Sequence, residues 1–440
     1  MTGPVEDSES AAPDAPPPEG GGLLGWIRRS PLAHLGPGLI TGVADDDPSG
    51  IATYSQPGAQ FGLNMLWTMP LALPMMAAVQ SMCARIGRVT GKGLAANIKG
   101  RFPTAVLGVV VLLLVIANTL NIAADLAAMG EAGALATGFD PHIMTTAFAL
   151  VTLGLQIFVP YHRYVQLLKW LTLSLLAYVG VLFAVKVPWA EVAARTVLPH
   201  ITLDGPAAMM VVGVLGTTIS PYLFFWQPSE EVEDMARTRA RPLLKGPDQA
   251  KAELRRIRWD TWSGMFYSNI TAYFIILATA VTLYAAGVRD IGTAAQAALA
   301  LRPIAGDFAF LLFTTGILGV GLIGVPVLAG SSAYAVAETF GWTFGLEKKL
   351  NKAKGFYGVI ILGVVIGWAL QFTPVNPMKA LFYSAVINGV VAVPLIAVVI
   401  LIASSRKVMG AYRASLSLIV IGWLTVVVMA AAAVRMVWPG

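Results

Sequence analysis

Charge is what this chain has least of. Asp, Glu, Lys and Arg make up 12% of its 440 residues, against about 25% in an ordinary soluble domain. A soluble fold of this length needs a charged exterior that such a composition cannot supply. The single cysteine, Cys83, excludes an internal disulfide and a cysteine-based metal site. There is no paired His-Glu zinc motif, no Gly-x-Ser-x-Gly elbow and no ATP-binding motif, so nothing points to an enzyme. What is present instead is apolar: 56% hydrophobic residues and a mean hydropathy of +0.71. The bilayer is the natural solvent, and an all-α membrane protein is the expected fold class. Beta-barrel strands would alternate over about ten residues, a pattern that is missing here.

Residues 1–30 are rich in Pro, Gly and Ala, and their first 22 positions hold five acids and no base. They read as a disordered cytoplasmic tail, without the basic start and apolar core of a signal peptide. Beyond them, a crossing helix needs about 20 apolar residues. That length finds eleven candidate spans, near 32–58, 64–84, 103–127, 142–159, 165–187, 207–228, 262–286, 306–338, 356–371, 379–403 and 413–434. With the N-terminus inside, the outer segments hold only Lys186, Arg195, Arg289, Arg302, Lys379 and Arg435 of the 30 bases. The positive-inside rule then places the N-terminus in the cytoplasm and the C-terminus outside, in a plasma or inner membrane. The same distribution assigns the net charge of +6 to cytoplasmic loops rather than to nucleic acid. Residues 229–261 form the longest polar stretch and read as a solvated cytoplasmic loop. Trp26, Trp189, Trp259, Trp342 and Trp438 lie near span ends, where interfacial anchors belong.

Two spans are interrupted. The first runs Gly36-Pro37-Gly38 to Ala44-Asp45-Asp46-Asp47-Pro48-Ser49-Gly50, and the sixth runs Gly213 to Thr217-Thr218-Ile219-Ser220-Pro221-Tyr222. Five spans separate them, so they cross in opposite directions, as an inverted repeat with discontinuous helices requires. The expected domains are a first five-helix repeat over 31–205, an inverted second repeat over 206–403, and an eleventh helix with the C-terminus over 404–440. Proline removes the bond to the carbonyl four residues earlier, freeing Ala44 and Thr217. An unpaired carbonyl in hydrocarbon needs protein, water or a cation to satisfy it. Asp47 with the Gly50 position on one break, and Thr217 with Ser220 on the other, could converge on one cation. No Lys or Arg lies in the central part of a span to neutralise Asp45, Asp46 or Asp47, each of which costs roughly 2.5–3.5 kcal/mol at a helix centre. Successive helical residues point about 100° apart, so the three acids cannot share one site. Asp47, next to the break, is the expected ligand, while Asp45 and Asp46 line an access path or pair elsewhere. Asn388 in the tenth span could reach a hydrated ion or bridge helices.

Gly36-Pro37-Gly38 followed by Asp47-Pro48 and Ala52-Thr53 resembles the first helix of the Nramp family of divalent-metal transporters. Thr217-Thr-Ile-Ser220-Pro221-Tyr222 is similar to that family's sixth-helix Ala-x-x-Met-Pro-His, and Gly330-Ser331-Ser332 to a stretch of its eighth helix. The resemblance implies a LeuT-type core of helices 1–5 and 6–10, with a metal site at the two breaks. It also implies secondary transport of divalent cations into the cytoplasm, with the cation as substrate, no other cofactor and no obligate protein partner. The departures bear on the ion. The family's Asn ligand is Gly50 here and its Met ligand is Ser220, which favours hard ions such as Mg²⁺, with Mn²⁺ also accommodated. Nramp-related magnesium transporters, the branch most resembled, likewise lack the Met. Proton coupling is expected to be weak or absent. The family's sixth-helix His is Tyr222, and the four histidines lie outside the breaks. Asp125 matches an acid of proton-coupled members, but its acidic partner is Ala128. Asp125 is thus either a proton route or a packing group bonded to Asn118 or Asn121, while Glu338 is expected to be solvated. The alternatives are a proton-coupled Mn²⁺ or Fe²⁺ importer and, on the same fold, an amino-acid or organic-cation transporter.

Overall fold

The computed structural model describes residues 37–161, 163, 171–200, 204–374 and 376–438, and it is helical with no strand among them. The expected tail over 1–30, Trp26, His34, His162 and the start of the fifth span lie outside the described residues. The first span is two helices, α1 (Pro37–Asp45) and α2 (Pro48–Phe61). Then come α3 (Thr68–Thr90), α4 (Thr104–Thr137) and α5 (Pro141–Phe158). The described part of the fifth span is a 3₁₀ turn, Leu171–Leu176, leading into α6 (Ala177–Ala184). The sixth span is again two helices, α7 (Gly205–Thr218) and α8 (Pro221–Thr238). The remainder are α9 (Ala250–Thr279), α10 (Ala309–Phe340), α11 (Lys354–Ala369), α12 (Pro377–Ala403) and α13 (Leu416–Val437). Among the described residues nine helical segments are long and apolar enough to cross a bilayer. The broken first span and the partly described fifth complete the eleven.

Both breaks follow the proline logic. Pro48 and Pro221 each occupy the first turn of the second half-helix, where a missing N–H costs nothing. Burial then sorts the helices. The broken sixth span is 94% buried over its most apolar stretch, whereas the eleventh is 17% buried and faces lipid. The breaks therefore sit at the centre of the bundle. Close approach is achieved with glycine: a Cβ on Gly42 would lie 2.2 Å from the Gly264 carbonyl oxygen of α9. No side chain fits there, so α1 lies directly on α9.

The expected loop over 229–261 is shorter in the structure. Helix α8 continues to Thr238, ending at a left-handed Arg239 (φ 56°), and α9 starts at Ala250. Ion pairs hold these polar extensions in helical form: Arg256 reaches Glu231 at 2.6 Å and Glu253 at 3.1 Å, and Arg88 of α3 reaches Glu253 at 3.0 Å. Glu338 is also not solvated. It is 7% exposed and accepts the Ala96 N–H at 3.1 Å, closing the start of the short helix Leu94–Lys99. Trp189, Trp259, Trp342 and Trp438 are all exposed.

Candidate metal centre

Asp47 caps α2. Its backbone is extended (φ −67°, ψ 173°), and its Oδ1 accepts the Gly50 N–H at 2.7 Å. That satisfies one orphan donor of the helix and places a carboxylate at a positive helix end. The other oxygen, Oδ2, is 3.2 Å from the Tyr222 hydroxyl, which is also 3.1 Å from the carbonyl oxygen of Ala44. The carbonyl freed by Pro48 and the carboxylate beside it thus meet on one atom from the other broken helix. Tyr54 of α2 makes a reciprocal link, with its hydroxyl 3.0 Å from Thr218 Oγ1 on α7.

At the second break the Ser220 hydroxyl turns back on its own helix. It donates to the Thr217 carbonyl at 2.6 Å, with the Gly216 carbonyl at 3.1 Å. Ser220 therefore makes no side-chain cap for α8, and the carbonyl freed by Pro221 is satisfied locally. Each freed carbonyl accepts from a hydroxyl of the sixth span. Ala44, Asp47, Gly50, Thr217, Ser220 and Tyr222 are all buried.

Of the two alternatives for Asp45 and Asp46, the structure shows pairing elsewhere. Asp45 and Asp46 line no open path: they are 0% and 1% exposed and share Ser268 Oγ of α9, at 2.7 and 3.0 Å. A single hydroxyl between two carboxylates leaves Asp45 Oδ1 and Asp46 Oδ2 without a partner among the described residues. Among those residues, too, no three acid, His or Cys side chains come close enough to hold one metal ion. Asp125 bonds neither Asn118 nor Asn121. Its Oδ1 accepts the Ser49 N–H at 3.1 Å, so a second carboxylate sits at the start of α2. The orphan N–H groups of a helix start explain this choice, and they were a signal available in the sequence once Pro48 was read as a helix beginning. Asn118 instead reaches across to Ser331, Ser332 and the Leu328 carbonyl of α10. Asn388 is buried on α12 with its Oδ1 unpartnered among the described residues, beside Gly389, which packs on Gly216 of α7.

On the side of the basic loops, two bonds tie α1 to its neighbours. The Gly38 N–H donates to Asp260 Oδ2 at 2.8 Å, pinning α1 to α9, and Thr41 bonds Gln227 of α8. Toward the opposite face, a cavity of about 260 Å³ lies among Ala52, Gln56, Gln60, Asp290 and Lys379. One of its lining residues, Ala52, is two residues along α2 from Gly50.

This architecture defines a multi-pass α-helical membrane protein whose two discontinuous helices meet at a buried carboxylate. The chain belongs to the Nramp family, described as natural resistance-associated macrophage protein-like, which it matches over residues 38–439. The divalent metal cation transporter MntH of Acidiphilium cryptum is 28% identical to it over 407 residues, spanning 89% of this chain and 86% of that protein. The MntH of Deinococcus radiodurans is 27% identical over 421 residues, spanning 92% and 90%. Among solved structures, the Eremococcus coleocola manganese transporter bound to an aromatic bis-isothiourea compound superposes with a TM-score of 0.72 at 17% identity. That superposition covers 96% of this chain and 89% of the other. MhsT in complex with L-phenylalanine gives 0.62 at 11% identity, covering 92% and 99%. These last two establish fold: a LeuT-type inverted repeat with helices 1 and 6 broken.

Proposed function

We propose that the chain is a secondary transporter of divalent metal cations, directed toward the face that carries the basic loops. The observation that carries this reading is the meeting of Asp47 Oδ2 and the Ala44 carbonyl on the Tyr222 hydroxyl, in a buried break with no Lys or Arg. A cation entering there takes the place of the phenolic hydrogen between two oxygens. The divalent metal transport of the MntH relatives supports the same substrate class.

Asp47 supplies the charge, Ala44 and Thr217 their carbonyls, Ser220 its hydroxyl and Gly50 an open position, with Tyr222 and Asn388 flanking. Every donor is oxygen, and hard ions suit such a set: Mg²⁺ first, with Mn²⁺ also accommodated. Asp45 and Asp46, held by Ser268, act as a secondary reservoir of negative charge. Membrane potential drives the ion at about 2.3 kcal/mol per charge per 100 mV. Weak or absent proton coupling follows from Tyr222 in the histidine's position. The placement is a cell membrane with the N-terminus cytoplasmic and the C-terminus outside, organised as repeats 31–205 and 206–403 with an eleventh helix over 404–440. A second reading, proton-coupled Mn²⁺ or Fe²⁺ import, is favoured by Asp125 lying at the same helix start as Asp47.

Purified protein in liposomes, loaded with dyes for divalent ions and for pH, tests both. Mg²⁺ and Mn²⁺ influx that disappears in Asp47→Asn without internal acidification is expected. Influx surviving that substitution sinks the site, and acidification that tracks Mn²⁺ selects the second reading.

A further inference from the structure

Helix α4 carries Asn118, Asn121 and Asp125 on one face, at spacings of three and four residues. They are 1%, 0% and 0% exposed, and the two ends of the row meet α10, Asn118 at Ser331 and Ser332 and Asp125 beside Gly324. Among the described residues Asn118 Oδ1, Asp125 Oδ2 and both polar atoms of Asn121 have no partner. Buried polar groups are nearly always paired, and water is the ordinary partner when protein is not. These atoms form a stripe over about 10 Å of helix. It ends at the break: a Cβ on Gly324 of α10 would lie 2.8 Å from Asp47 Cβ and 3.9 Å from Asp125 Oδ2. Asp125 and Asp47 therefore flank the same glycine.

The chemistry of the stripe is one-sided. Three of its four unpartnered atoms are acceptor oxygens: a carboxylate and two amide carbonyls. A water molecule bound to a cation turns its lone pairs to the ion and its hydrogens outward. It is a donor, and it needs acceptors around it. Gly50 and Ser220 supply little side-chain bulk at the break, so an ion there keeps part of its water. We propose that Asp125 and Asn121, backed by Asn118, form a hydration site for a partly hydrated hard divalent cation held at Asp47, accepting from the waters the ion retains. This rests on the reading of Asp47 as the cation ligand and deepens it: the selectivity lies partly in groups that never touch the ion. Asn121 is a positioning residue for water, and its amide N–H group holds the next water along the stripe.

The test uses the full chain in lipid nanodiscs, with Asn121→Leu, which matches the side chain in size and removes its polar atoms. Asn121→Ser, which keeps a hydroxyl, serves as a second variant should the leucine chain fail to fold. X-ray hydroxyl-radical labelling of the ion-free protein reports bound water near Leu328, whose carbonyl accepts from Asn118 at 3.0 Å and which is 0% exposed. Labelling of Leu328 in the wild type and its loss in Asn121→Leu are expected; an unlabelled wild type overturns the proposal. Titration calorimetry then follows Mg²⁺ and Mn²⁺ in turn. Because Mg²⁺ dehydrates reluctantly, Asn121→Leu weakens it about tenfold and Mn²⁺ by less than about threefold. Equal losses, or none, overturn the hydration role even where water is present. Wild-type protein that binds neither ion while Asp47→Asn behaves identically sinks the underlying cation site instead, and the labelling still reports the water.

Discussion

The Tyr222 hydroxyl stands 3.2 Å from Asp47 Oδ2 and 3.1 Å from the Ala44 carbonyl, spanning both oxygens that the first break presents. A phenol has one hydrogen for these two acceptors. It closes the break without an ion, and under the proposed function it yields to one that satisfies both oxygens at once. In Tyr222→Phe the ion-free protein loses a hydrogen bond of about 1 kcal/mol, so its melting temperature falls. Saturating Mg²⁺ then raises that temperature more than it does in the wild type. Equal shifts in a nanodisc thermal melt would show that ion and hydroxyl do not compete.

Asp47 serves two purposes that substitution can separate. Asn caps a helix about as well as Asp, whereas Ala costs about 1 kcal/mol. Asp47→Asn is expected to keep wild-type stability and lose transport, and Asp47→Ala to lose both. Melting curves and liposome flux on the same preparations check this.

In the proposed site Ser220 stands where a softer ligand could be introduced. Ser220→Met supplies a thioether and releases the Thr217 carbonyl from its 2.6 Å bond. Selectivity for Mn²⁺ over Mg²⁺ should rise on the order of tenfold, about 1.4 kcal/mol, since a thioether suits the transition metal. Competition for uptake between the two ions measures it.

Gly42 sets how closely α1 lies on α9. Gly42→Ala drives a methyl into the Gly264 carbonyl and is expected to destabilise by about 1–3 kcal/mol. A methyl on Gly358 of α11 would meet nothing within 4 Å. There the same substitution is expected to stabilise by about 0.5–1 kcal/mol through helix propensity. Paired thermal melts give both signs.

Much of this protein is local chemistry. Low charge, apolar runs and two prolines placed after polar residues are enough to demand a membrane, a span count and two broken helices, because each follows from covalent geometry and the bilayer's lack of hydrogen-bond partners. That Asp47, of the three acids, would cap the second half-helix was legible for the same reason, since it borders Pro48. Partners across the bundle were not legible. Asp125 bonding Ser49, Asp45 and Asp46 sharing Ser268, and Glu338 buried on Ala96 all join residues at least 70 positions apart. No periodicity encodes such pairings. They arise when helices pack and every buried donor and acceptor must find whatever lies opposite. The sequence by itself determined that a carboxylate would stand at a break in the bilayer. Only the tertiary structure decided that a tyrosine would close it, and that a stripe of unpartnered oxygens would lie alongside.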